Sequence, residues 1–439
     1  MKISELLFSL LLCLTASAGF AAEVIDDQAI SIDEGKRAFA FGDYDKALQI
    51  WRPLADGGNA LAQFNLGLMY EQGKGVARDH DQAVHWFREA AAHGSLDAQT
   101  NLGVMYEQGQ GVSQDFGQAL SWYKLAADKN FAPAQVNLGG LYLRGQGVPR
   151  DIAQALFLYQ RAASQKFADA QFNLGLLYQS GRGVARDYTK AFDWFSKAAA
   201  QDSMPAAYAL GVLYENGQGV SKDLHKAAEW YAKAAESGDP AAQTSFGHLL
   251  EQGIGVGQDY QQARSLYEKA ALQGYAAAQY DLALLYANGH GTKVSVDQTM
   301  YWLQKAVDQE FTDAQYSLGL IYATGQGLKK PDYPKAFILL RKAAQAGRPM
   351  ALANLGVLYE CGCGTGRDPV LAQMLYILAV QGGYAEAAAS RQRLDTMLNA
   401  AQIKESRLLA LMWKQGTPLP AKTRTGRQPM VLPAPAAGS

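Results

Sequence analysis

The sequence is short of several features that would each have pointed to a function. It has three cysteines in 439 residues, which excludes a small fold held together by a disulfide framework. It has no surplus of either charge, since 40 Lys+Arg stand against 41 Asp+Glu for a formal net charge of −1. A protein that grips nucleic acid by neutralising phosphates carries a basic excess, so no nucleic-acid partner is expected. The six histidines, His80, His85, His93, His225, His248 and His290, never fall at a ligand spacing such as His-Glu-x-x-His, and no metal or cofactor is expected. No Gly-x-Ser-x-Gly nucleophile motif occurs, and no catalytic residue is assigned. Beyond the first residues no apolar run approaches the roughly 20 residues that span a bilayer. At 49% hydrophobic and 18% charged the chain is not a disordered polyelectrolyte. Length alone suggests about two or three globular domains.

The first residues read as an address. Lys2 is followed by an apolar stretch from Leu6 to Leu14, and Ala16-Ser17-Ala18 or Gly19-Phe20-Ala21 fits the small-x-small cleavage rule. Leu12 stands before Cys13 where a lipoprotein signal requires a small residue. Residues 1–22 are therefore expected to be a cleaved signal peptide, which would make the mature protein soluble and periplasmic, with secretion as a variant of the same route.

What the chain has in excess is glycine, 44 in all, and their placement is periodic. The phrase Ala62-Gln63-Phe64-Asn65-Leu66-Gly67-Leu68-Met69-Tyr70-Glu71-Gln72-Gly73-Lys74-Gly75-Val76 restarts at Ala98, Ala134, Ala170, Ala206, Ala242, Ala278 and Ala314. It restarts once more at Ala351, one residue late because the Leu328–Pro334 segment carries an insertion. Such a period marks a repeat architecture. Positions within a repeat are counted from that alanine, which is position 1.

Positions 1, 5, 8 and 9 follow the spacing of an amphipathic helix, helix A. Position 6 is Gly67, Gly103, Gly139, Gly175, Gly211, Gly247, Gly319 and Gly356, with Ala283 as the one substitute. Glycine inside a helix costs about 1 kcal/mol relative to alanine, so its recurrence predicts close approach of the next helix. A Gly-x-Gly pair ends helix A in every repeat, where a left-handed cap and a tight loop are expected. Four residues on, Asp79, Asp115, Asp151, Asp187, Asp223, Asp259, Ser295, Asp332 and Asp368 are candidate N-caps. Helix B follows, with Ala83, Trp86, Phe87 and Ala90 at i, i+3, i+4 and i+7. One such hairpin cannot bury both its faces, so neighbours must stack into a continuous core. This overrides the count of two or three domains.

The phrase Ala-Gln-x-Asn-Leu-Gly-x-x-Tyr-x-x-Gly-x-Gly-Val, with Asp, Ala, Trp-Tyr/Phe and Ala-Ala-x-x-Gly behind it, resembles the Sel1-like repeat family, 36-residue relatives of the tetratricopeptide repeats. The resemblance covers about residues 35–400. It implies an all-α fold, an α-solenoid in which about nine helix-turn-helix repeats wind into a right-handed superhelix. The expected organisation is an N-terminal capping helix and half repeat over 23–61, the repeat solenoid over 62–386, and capping helices over 387–416. A disordered tail over 417–439, rich in Pro and Ala, would complete the chain.

The resemblance also implies a protein-interaction scaffold rather than an enzyme. Matching Leu66-Gly67-Tyr70 to the relatives' Leu-Gly-Tyr places positions 3, 4, 7 and 10 in a concave groove lined by helix A. Position 4 carries Asn65, Asn101, Asn137, Asn173 and Asn354, whose amides could hold an extended peptide backbone or instead cross-link repeats. Position 3 carries the aromatics Phe64, Phe172, Tyr208, Tyr280 and Tyr316, either anchors for a partner or fillers between helices. Position 10 carries Glu71, Glu107, Glu215, Glu251 and Glu360, a tendency toward a negative groove suited to basic or neutral segments, or simply solvated surface.

Cys361 and Cys363 flank Gly362 in the last loop. A bridge between them needs an unusual turn to bring the Cα atoms within reach, and free thiols or an intermolecular bridge are the alternatives. Exported relatives linked to penicillin binding or β-lactamase activity carry cysteines in each repeat, which this chain lacks. The expectation is therefore an exported adaptor that binds another protein or an extended peptide, with cell-envelope regulation or assembly as its setting. A secreted factor that binds host proteins is the alternative, and a hydrolase the distant third.

Overall fold

The computed structural model describes residues 32–425. The export signal expected over 1–22 and residues 426–439 of the expected tail lie outside them. Among the described residues all regular structure is helical. The A helices are Ala60–Gln72, Leu96–Gln108, Ala132–Arg144, Ala168–Ser180, Met204–Asn216, Pro240–Gln252, Ala276–Asn288, Thr312–Thr324 and Pro349–Cys361. The B helices are His80–Ala92, Phe116–Asp128, Ile152–Ser164, Tyr188–Ala199, Leu224–Glu236, Tyr260–Leu272, Val296–Val307, Tyr333–Gln345 and Pro369–Gln381. The chain forms two compact units that divide between Lys222 and Asp223. Within each unit, sequential helices pack on one another as in an all-α solenoid.

Local chemistry sets the bounds of each helix. The Asp79, Asp151, Asp187, Asp223 and Asp332 carboxylates accept the backbone N–H three residues on, and the Ser295 hydroxyl does the same. Each such cap contributes about 1 kcal/mol. At the other end, the first glycine of every Gly-x-Gly pair sits in the left-handed region, as Gly109 does at φ 70°. The second glycine has a different reason. A Cβ on Gly147, Gly255 or Gly364 would collide with the carbonyl of the first residue of the preceding B helix, so neighbouring repeats stack backbone against backbone there.

Inside each hairpin a ring lies on a bare helix. The B-helix residue at position 26 is Phe87, Tyr123, Tyr159, Phe195, Tyr267 or Tyr376, and each presses on the position 6 glycine of its own A helix. A Cβ on Gly139 would come 2.6 Å from the Tyr159 ring, and one on Gly356 would come 2.8 Å from Tyr376. In the seventh repeat the B-helix residue is Leu303, and there the glycine is replaced by the fully buried Ala283. In the eighth Gly319 is kept against Leu340, where a Cβ would still come 3.0 Å from the leucine Cγ. The fit of the facing side chain, not helix propensity, decides the residue.

A second recurrent contact joins repeats. The position 2 glutamines are buried, and their amides would be costly there without partners. Gln63 and Gln279 donate to the Ala55 and Ala271 carbonyls of the preceding helix, at 3.0 and 3.1 Å. Their carbonyl oxygens meet the residue 30 positions on: His93 Nδ1 lies 2.9 Å from Gln63, while Gln165, Gln201, Gln273 and Gln309 donate to Gln135, Gln171, Gln243 and Gln279. Where Lys129 stands at that place, Gln99 Oε1 has no partner.

At the N-terminal end residues 32–40 form a helix that packs with helix Tyr44–Asp56 as a short hairpin. Trp51 lies on Gly35 and its indole N–H points at the Ile32 carbonyl, so the ring-on-glycine contact is kept without a Gly-x-Gly loop. Helices Ala387–Met397 and Ala400–Met412 follow the last repeat. The expected tail is corrected over 417–425. Leu419 is buried and its carbonyl accepts from Arg341, Thr423 bonds to both oxygens of Asp368, and the Arg424 and Thr425 N–H groups donate to Glu405. Cys361 and Cys363 form a disulfide with Cα atoms 5.3 Å apart. The turn it needs is the ordinary left-handed Gly362 that closes the A helix.

The ring-on-glycine pairing predicts a reversal of sign. G103A is expected to lower stability by about 1–3 kcal/mol through overpacking against Tyr123. In the Y123L background the same change should raise stability by about 1 kcal/mol, as helix propensity then dominates. Urea unfolding of the four proteins checks this, and additive effects would contradict it.

Candidate partner-binding face

Each A helix carries its core stripe on positions 1, 5 and 8, as Ala98, Leu102 and Met105 show by their complete burial. Positions 3, 4, 7 and 10 lie beside that stripe and keep partial access to solvent in most repeats.

The position 4 asparagines fall into two groups. Asn101, Asn137 and Asn173 are half-buried, and no hydrogen bond engages their amides among the described residues. Asn65 is buried and its Nδ2 has no partner. These four stand on successive A helices of the first unit. Asn354, in the second unit, is engaged: its amide donates to the Met350 carbonyl at 2.9 Å and reaches the Tyr316 hydroxyl at 3.4 Å. Asp281 at the same position meets His248 of the preceding A helix at 2.7 Å. Position 4 therefore can tie neighbouring A helices, and in the first unit it does not.

The position 3 aromatics are half-buried. Phe64 tilts against Phe87 with ring centroids 5.7 Å apart, Phe172 against Phe195 at 5.6 Å, and Tyr280 against Phe311 at 5.6 Å. Tyr316 carries the Arg348 guanidinium over its ring at 4.4 Å, and Tyr208 is likewise half-buried. One edge of each ring completes the hairpin and the other stays accessible.

At position 10 the fold itself uses three of the five carboxylates. Glu107, Glu251 and Glu360 each accept a hydrogen bond from the position 26 phenol of their own repeat, Tyr123, Tyr267 and Tyr376, at 2.8, 2.9 and 3.0 Å. Arg144 adds an ion pair to Glu107, and Arg393 adds one to Glu360. Burial and the adjoining carboxylates push the three phenols above their ordinary range. In the first repeat position 26 is Phe87, which has no hydroxyl, and burial pushes the Glu71 carboxyl up despite His80 and Arg78 nearby. The sequence contains the signal for this network, since Glu at position 10 goes with Tyr at position 26 in four of its five occurrences. The glutamine row at position 2 was equally visible and carried no assignment.

The Sel1 repeat model matches nine segments, 60–95, 96–131, 132–167, 168–203, 205–239, 240–275, 276–311, 312–347 and 349–384. The chain therefore belongs to the Sel1 repeat family, whose members act as protein–protein interaction scaffolds. Among solved structures it is similar to c5321, described as a protective antigen of uropathogenic Escherichia coli with the same repeat fold. The identity is 30%, 94% of this chain and 97% of the other are covered, and the TM-score is 0.51. It is also similar to a Sel1 repeat protein from Oxalobacter formigenes, at 35% identity over 68% of this chain and 90% of the other, with a TM-score of 0.50. No curated protein matches the chain.

Glu71 and Glu360 predict opposite pH responses. Glu71 has its folded pKa raised above the ordinary 4.5, so its contribution is full below 4.5 and lost as pH rises through the folded value. E71Q should therefore raise the melting temperature at pH 7 and leave it unchanged in acid. Burial pushes Glu360 up, but hydrogen bonds from Arg393 and Tyr376 outweigh it and the carboxyl lies below 4.5. Its contribution is present above 4.5 and lost as pH falls through the folded value. E360Q should lower the melting temperature at pH 7, with the difference shrinking in acid. Thermal melts of both variants across pH 3–8 check the two signs.

Proposed function

We propose that the protein is an exported adaptor that holds an extended segment of another protein along the A-helix face of its first unit. The observation that carries this is the contrast between two amide rows two residues apart. The glutamines at position 2 are engaged by the fold, whereas half-buried Asn101, Asn137 and Asn173 present amides that the fold does not engage, and the buried Asn65 Nδ2 at the head of the row also has no partner. An asparagine amide can donate to one backbone carbonyl and accept from one N–H, and a row at repeat spacing suits an extended chain regardless of its side chains. The half-exposed edges of Phe64, Phe172 and Tyr208 beside them supply apolar contact. Binding rather than catalysis is the activity this arrangement suits. Exposed apolar residues also occur on the B helices, such as Leu125 and Phe157, as is ordinary for a folded surface. Export rests on the Lys2 and Leu6–Leu14 pattern of the first residues.

The test is crosslinking in intact cells with the tagged full chain. N65A/N101A/N137A/N173A should lower the yield of the crosslinked partner at least tenfold, because four lost hydrogen bonds amount to about 2–6 kcal/mol. L125S/F157S should leave it unchanged. An unchanged yield in the asparagine variant, or a loss only in the B-helix variant, would contradict the proposal. Recovery of the chain from the cytoplasm alone would contradict export.

A further inference from the structure

The seventh repeat lacks two pairings, ring on glycine and carboxylate to phenol, that the second, sixth and ninth repeats keep, and the eighth repeat, with Ala323 and Leu340, lacks both as well. Position 10 is Ala287 where its neighbour has Glu251, and position 26 is Leu303 where its neighbour has Tyr267. In the sixth repeat the carboxylate and phenol bond to each other and fill the space beside the A helix. With both removed, a cavity of about 350 Å³ opens between helices Ala276–Asn288 and Thr312–Thr324 of the second unit. Leu284, Leu303, Leu320 and Ile321 line it, and Val294 and Gln326 stand on its rim. Leu284 and Leu320 are position 7 residues and Ser317, also in the lining, is a position 4 residue. The cavity therefore opens on the A-helix face of the second unit, at the repeat positions that the adaptor reading uses in the first.

Its surroundings are charged in one direction. The loop that supplies Val294 carries exposed Lys293, and the loop that supplies Gln326 carries exposed Lys329 and Lys330, in the segment with the inserted residue. Asp332 is engaged as an N-cap and by Lys335 at 3.2 Å, and the exposed carboxylate nearest in sequence to the first loop, Asp297, lies in the first turn of helix Val296–Val307. An apolar hollow with a cationic border matches an apolar residue set among acidic ones.

We propose that this cavity is a specificity pocket that takes one bulky apolar side chain, phenylalanine, leucine or methionine, from an acidic segment of the partner. The inference rests on the A-helix face being the partner's surface. The asparagine row of the first unit holds backbone without reading sequence, whereas this pocket of the second unit reads one side chain.

The experiment uses the full chain with methyl-labelled Leu and Ile and two blocked probe peptides, Glu-Asp-Phe-Asp-Glu and Glu-Asp-Ala-Asp-Glu. The phenylalanine peptide should shift the Leu303 and Ile321 methyls and bind about ten- to a hundredfold more tightly than the alanine peptide. A283G/A287E/L303Y, which copies the arrangement of the sixth repeat and so should fold, is expected to abolish that difference. K293E/K329E/K330E should weaken the phenylalanine peptide while the methyl resonances keep their dispersion. Equal binding of the two peptides, or undiminished discrimination in the triple repeat variant, would overturn the proposal. Tighter peptide binding in M430S/V431S/L432S would show that the chain's own terminus fills the cavity, and would also overturn it. If the peptides are not distinguished while the asparagine variant still loses its partner, the pocket alone falls and the adaptor reading stands.

Discussion

A flat aromatic ring can approach a helix backbone only where the Cβ is missing, and this protein uses that steric fact once in nearly every hairpin. The ring at position 26 covers the glycine at position 6, as Tyr123 covers Gly103 and Tyr376 covers Gly356. The close approach fixes the distance and register of the two helices, and with them the placement of Ala83, Ala119 and Ala155 in the seam. The cost of a glycine in mid-helix, about 1 kcal/mol, is offset by the packing it permits. Even the irregular first hairpin keeps the device, with Trp51 on Gly35.

From that contact the remaining interactions follow by geometry. A phenol laid across an A helix carries its hydroxyl to the far side, where Glu107, Glu251 and Glu360 receive it. The position 2 glutamines then link one repeat to the next within each unit, donating to a carbonyl of the preceding helix and accepting from a residue at the end of their own repeat's B helix. Little polar capacity is left over in the interior. What the A-helix face leaves open is the asparagines of the first unit and, in the second, the apolar hollow beside Ala287 and Leu303.

Much of this was written in the sequence because a repeat displays its own constraints. The 36-residue spacing gave the hairpins, the Gly-x-Gly pairs and the Asp caps, and the recurring Gly67-type position announced a close approach before its partner was known. What stayed hidden was through-space pairing. Glu107 and Tyr123 are 16 residues apart, and Gln135 and Gln165 are 30 apart, so neither pair shows on one helical face. Residues 417–425 of the tail were misread for a related reason. Its Pro and Ala content suggests a solvated chain, but Leu419 and Thr423 are held by Arg341 and Asp368, more than 50 residues away. The candidate site was legible as a set of positions, but which of its asparagines the fold engages was not, because that depends on whether a neighbour such as Tyr316 is in reach.

Site-specific photocrosslinking in cells tests the central claim most directly, that the A-helix face is the surface a partner occupies. A photoreactive residue placed at Leu176 or Val212 on A helices should give a discrete adduct with one partner, while the same residue at Leu125 or Phe157 on B helices should give none. Adducts confined to the B-helix positions, with Leu176 and Val212 silent, would contradict the account.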